Sequence, residues 1–140
     1  MTSKFAGLAL AVDAPARMTI LHPVTRQPLR DSAGEEAWID LLSADSAAAR
    51  AHDRAITDAL IRAGARRRSA EQMDAELTDK LAKLTTGWRL LTLDGEPIDV
   101  PFSVASAREM YALPELAWLR GQVMQFVDDL GNFRPAASTS

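Results

Sequence analysis

A chain of 140 residues with 47% hydrophobic and 25% charged content suffices for one domain built on a single modest core. It contains no cysteine, which excludes disulfides, thiolate metal sites and thiol nucleophiles. The net charge of -3 argues against the broad basic footprint of a nucleic-acid binder, and no apolar run approaches the roughly 18 residues of a membrane span.

The first stretch, "MTSKFAGLALAVDAPA", has the outline of a secretory signal: a lysine, a short apolar run and small residues. The run from Phe5 to Val12 is short and rich in alanine and glycine, so residues 1–16 are expected to be a loosely ordered lead-in. "RMTILHPVTRQPL" begins as a strand, with Met18, Ile20 and His22 on one side and Thr19 and Leu21 on the other. Pro23 and Pro28 bracket a turn, because each fixes its own φ and lacks an N–H. A second short strand through Trp38, Ile39, Leu41 and Leu42 is expected to pair with the first across a long connection.

Helix begins at Asp45 or Ser46, either of which can cap the first free N–H groups. Ala48, His52, Ala55, Ile56, Ala59, Leu60 and Ala63 fall at helical spacing, a thin stripe because alanine buries little area. Gly64 and the arginines after it suit a helix C-terminus. Ser69 and Gln72 form a capping box for a second helix, whose stripe is Met73, Leu77, Leu81 and Leu84. The two helices should form a hairpin.

"WRLLTLDGEPIDVPFS" follows, with Asp94-Gly95 as a favoured turn pair between two alternating apolar arms. Pro97 restricts the second arm to an edge strand. Ser103 caps a short helix through Tyr111, and Pro114 opens a last helix with Leu116, Leu119, Val123, Phe126, Val127 and Leu130 along one face. The expected fold class is therefore α+β, mainly α. A short N-terminal hairpin precedes four helices near 45–65, 69–85, 103–112 and 114–130, with a small hairpin between the second and third. One domain over 17–133 and a flexible tail over 134–140 complete the outline.

Chemistry is harder to find. His22 and His52 are the only imidazoles, with no ligand spacing around them and no nucleophile elbow, P-loop or dinucleotide fingerprint elsewhere. Neither catalytic residues nor a metal or cofactor is expected. From Arg50 to Arg68 six arginines face Asp53 and Asp58, whereas Glu71, Asp74, Glu76 and Asp79 face one lysine between Ser69 and Lys80. The cluster Arg66, Arg67 and Arg68 reads first as a solvated helix end, and otherwise as a surface that steers an acidic partner. Leu116, Leu119, Val123 and Phe126 lie at near-heptad spacing that serves ordinary core packing, self-association or a helical client.

In order, these pieces resemble the tail assembly chaperones of long-tailed bacteriophages. "MTILHPVTRQPL" is similar to their opening strand and turn, and "LLSADSAAARAHDR" to their strand-to-helix step. The closest stretch is "LTTGWRLLTLDGEPIDVPFSVASAREMYALPELAWLRGQVMQFVDDLGNF", with its Thr-Gly-Trp step, short hairpin and proline-started helix ending in Asn-Phe. The resemblance spans residues 18–134 and lies in the order of elements, not in one motif. Arg26 departs from it: the family usually has glycine there, which speaks against a positive φ in the first turn.

The resemblance implies a binding function without catalysis. Such chaperones hold the tape-measure protein, a long helical chain with exposed apolar stripes, soluble and extended until tube subunits polymerise around it. They act in the host cytoplasm and are absent from the finished virion. Many are also made in a longer frameshifted form that recruits tail-tube protein. The competing reading is a small regulatory or nucleic-acid-binding protein of a phage or bacterium that uses the Arg66–Arg68 end.

Overall fold

A computed structural model describes residues 4–64 and 68–135. Strands β1 (Ala16–Thr19) and β2 (Trp38–Leu41) pair antiparallel, Met18 opposite Ile39. Helices α1 (Ala47–Ala63) and α2 (Ala70–Leu84) follow as a helical hairpin. The chain then returns to the sheet as β3 (Thr85–Arg89), antiparallel to β2 on its other side, so the order is β1-β2-β3. Helix α3 (Val104–Ala112), a 3₁₀ turn at Pro114–Leu116 and helix α4 (Ala117–Asp128) close the domain. The fold is α+β and mainly α, with the four helices in the expected places. No helix among the described residues is long and apolar enough to cross a membrane.

Strand alternation organises the core. Ala37, Ile39, Leu41 and Ser43 share one face of β2 and its extension, and all four are fully buried. Leu81 and Leu84 of α2, Ala107 and Tyr111 of α3, and Leu119, Val123 and Val127 of α4 belong to the same cluster. The opposite face of β2 carries Trp38 and Asp40. There Arg17 lies over the Trp38 ring at 3.6 Å and makes two hydrogen bonds to Asp40, at 2.9 and 3.1 Å. One side of the sheet is thus packed by helices and the other is finished by a cation over an aromatic ring.

Helix ends follow local chemistry. Ser46, not Asp45, caps α1: its Oγ accepts from the Ala49 N–H, while Asp13 Oδ1 accepts from the Ala47 N–H. The lead-in is thereby held at its end, since the Ala11 N–H also donates to the Phe133 carbonyl and the Ser43 N–H to that of Val12. Gly64 ends α1 in the left-handed conformation, and Ser69 with Gln72 forms the full capping box at α2. The tail expected to be flexible lies, from residue 136 on, outside the described residues.

The structure corrects three expectations. The first arm of the hairpin around Asp94-Gly95 begins earlier than its apolar pattern suggests: Thr85–Arg89 is the third strand of the sheet. The second arm forms no strand, meeting the first at one isolated bridge between Leu91 and Pro97. Pro97 has no N–H to donate, so the arms share only the backbone bonds from the Ile98 N–H to the Leu90 carbonyl and from the Thr92 N–H to the Glu96 carbonyl, and Trp88 Nε1 donates to the Val100 carbonyl at 2.9 Å as a further tie. Leu130, expected on the apolar face of the last helix, is exposed in a 3₁₀ turn (Leu130–Asn132), because α4 has already ended at Asp128. Finally, Arg26 does adopt a positive φ, 61°, alone among the described non-glycine residues. The His22 ring compensates: its Nδ1 accepts from the Val24 N–H at 3.0 Å, and the Arg26 N–H donates to the His22 carbonyl.

Gly95 is a tertiary as well as a local requirement. Its φ is +89°, and a Cβ there would stand 2.4 Å from the Arg30 carbonyl oxygen. Gly95→Ala is therefore expected to destabilise the fold by about 2–4 kcal/mol, combining left-handed strain with a backbone collision. Arg26→Gly should have the opposite sign and raise stability by about 0.5–1 kcal/mol, since strain is relieved at an exposed turn. Urea unfolding monitored by circular dichroism measures both.

Candidate partner-binding surfaces

The sequence-derived site residues scatter. Leu119 and Val123 are in the core of the domain, because α4 turns that stripe toward the sheet. They are not offered to a partner. Phe126 is half-buried and packs edge-on against Phe133, ring centroids 5.7 Å apart. Leu116, also half-buried, lines a surface recess described below. Arg66 and Arg67 lie outside the described residues. Arg68 is exposed and is ion-paired with Glu76 of α2, so this arginine neutralises its own hairpin.

Two surfaces lying mainly outside the sequence-derived site residues are open. The first lies between α1 and α2. Only Ala49 and His52 of α1 are buried, and the buried residues of α2 begin at Thr78, so the distal halves of both helices overhang the core. Between them runs a groove of about 350 Å³ lined by Ile56, Leu60, Met73 and Leu77. Lys80 pairs with Asp53 across it at 3.1 Å, and Arg68 with Glu76 at its far end. Met73 remains 48% exposed. The alanine-rich pattern of α1 was the available signal: too little bulk at the interface to close it.

The second surface is an apolar shelf of about 300 Å³. Its main lining is Trp88, Leu90, Val100, Met110, Leu113 and Leu116. Trp88 is fixed by its hydrogen bond to Val100 and by edge contact with Phe102 at 5.2 Å. The extended segment 97–101 and helix α3 form its walls. Its residues come from three separate parts of the sequence, which is why no periodicity reveals it.

At the root of the α1–α2 arm sits the most connected charge cluster. His52 Nδ1 is 3.5 Å from both Asp79 Oδ2 and Lys83 Nζ, while Asp79 also binds Lys83 at 2.8 Å and Arg108 at 2.7 Å. The carboxylate already accepts from two cations and joins α1, α2 and α3, so the cluster is built to tie helices together. Tyr111 makes a second tie, its hydroxyl 2.8 Å from Thr85 Oγ1, and burial pushes its pKa up to about 12. No group of three or more His, Asp or Glu side chains among the described residues is arranged to hold a metal ion. No protein-family model, curated protein or solved structure matches the chain.

The Asp79 cluster has a pH signature. Burial pushes the Asp79 carboxyl up, but the hydrogen bonds from Lys83 and Arg108 outweigh it and hold the group below its ordinary value of 3.8. A lowered folded-state value means that the contribution is complete above 3.8 and is lost as pH falls through the depressed value. Asp79→Asn is expected to cost about 1–2 kcal/mol at neutral pH, allowing for partial exposure of the ion pairs. Its deficit against wild type should shrink once the pH is well below 3.8. Paired denaturation curves across that range test it.

Proposed function

We propose that this chain is a tail assembly chaperone of a long-tailed bacteriophage or prophage, binding the tape-measure protein and keeping it soluble and extended until tube subunits assemble. The observation that carries the reading is the open groove of the α1–α2 arm. Ile56, Leu60, Met73 and Leu77 form an apolar channel between two helices, bordered by charged pairs and not closed by the domain's own core. A helical client with an apolar stripe presents side chains at i, i+3, i+4 and i+7, which is the spacing such a channel accepts.

Many shallow contacts of this kind suit a client that must later be released, since affinity depends on packing quality more than on area. The order of elements, similar to that of the chaperone family from residue 18 to 134, supports the same reading. In this proposal the protein acts in the host cytoplasm during morphogenesis and leaves before the particle is complete. A longer frameshifted product would add a tube-protein contact.

The decisive experiment coexpresses the chain with fragments of a phage tape-measure protein. Fragments that aggregate alone should become soluble and co-elute with the chain. Leu60→Glu combined with Met73→Glu should abolish the rescue while leaving thermal stability within about 1 kcal/mol of wild type, because both side chains lie outside the buried core. Fragments that stay insoluble with the wild-type chain would remove the proposal. Rescue by the double variant as good as wild type would remove the groove from it.

A further inference from the structure

We infer that the shelf beside α3 is a second docking site, shaped for a basic amphipathic helix of a protein partner. This inference does not depend on the chaperone reading. The shelf is a rigid apolar surface without a cover: Val100 and Leu113 are 43% and 42% exposed on opposite walls, and Trp88 is locked at its base. A helix laid between α3 and segment 97–101 would bring one apolar stripe onto this surface.

Charge selects the occupant. Glu109 lines the shelf, Asp99 lines the adjoining recess, and Glu115 stands between Pro114 and Leu116 at the shelf's end. Asp94 and Glu96 extend the same sign along the turn. None of these five carboxylates has an ion-pair partner among the described residues. The arginines of the neighbouring segments are committed elsewhere: Arg108 to Asp79, Arg89 to Asp31 and the Glu36 carbonyl, and Arg30, whose backbone lies against Gly95, to Glu36. Uncompensated negative charge around an apolar floor attracts a segment whose hydrophobic stripe is flanked by lysine or arginine. The same rim opposes a second copy of this chain docking face to face, because the carboxylates would meet their equivalents.

Two labelled helical peptides, titrated against the full chain by fluorescence anisotropy, test the assignment. One carries leucine at i, i+3, i+4 and i+7 with lysine elsewhere, and the other has glutamate in place of lysine. The lysine peptide is expected to bind at least about tenfold more tightly than the glutamate peptide. Leu113→Asp, and separately the combination D99K/E109K/E115K, should each weaken it by about tenfold with the circular dichroism spectrum unchanged. Should L113D misfold, Val100→Asp on the opposite wall takes its place. Equal binding of the two peptides, or full binding by either wall variant, overturns the inference. So does a dimer in sedimentation that a wall variant dissolves, since the occupant would then be a second copy.

Discussion

The structure hangs on β2. It is the one strand paired on both sides, and its alternation delivers Ile39 and Leu41, each with no exposed surface, to a single face. A shift of one residue in its register would exchange those side chains for Trp38 and Asp40. The core of α2, α3 and α4 would then meet a carboxylate. Arg17 opposes that shift from the other face, since it holds Asp40 and covers Trp38 only in the observed pairing with β1.

From this sheet the α1–α2 arm gains its character. The chain leaves β2, runs out along α1, returns along α2 and re-enters the sheet directly as β3. Both helices are anchored at the end near the sheet, where Ala49, His52, Leu81 and Leu84 are buried. Beyond that root little bulk remains on α1 to pack against α2, and each added square ångström of apolar contact is worth only about 25 cal/mol. The arm is held by helix capping, by the Asp53–Lys80 and Arg68–Glu76 pairs and by the His52–Asp79–Lys83 cluster. Such an element has lower local stability than the sheet, and its apolar groove is correspondingly adaptable.

The two open surfaces differ in kind. In the arm groove, ionic pairs are satisfied internally and the apolar channel is set by two helices of one hairpin. At the shelf, the floor is pinned by Trp88 and the surrounding acids have no ion-pair partner among the described residues. Under the two proposals above, the groove would recognise shape with little preference of charge, and the shelf would select a cationic partner. The two proposed occupants would then lie on separate surfaces, without competition between them.

Local chemistry determined the four helices and the caps of the first three. Ser69 with Gln72, Gly64 and Ser103 act through neighbours in sequence, and the 3.6-residue periodicity of α1, α2 and α4 needs no tertiary context. Four features were decided only in the folded chain. Thr85–Arg89 reads as the end of a helix followed by a hairpin arm, and became a strand because β2 had an unpaired edge within reach. The stripe Leu116, Leu119, Val123 and Phe126 is equally consistent with a surface or a core until the sheet is present to cover it. The shelf unites residues from 88 to 116 that lie on three elements, and Arg26 accepts left-handed strain because His22 organises the turn around it. Spacing along a chain records which side chains share a face, but which face finds a neighbour is set by contacts between residues far apart in sequence.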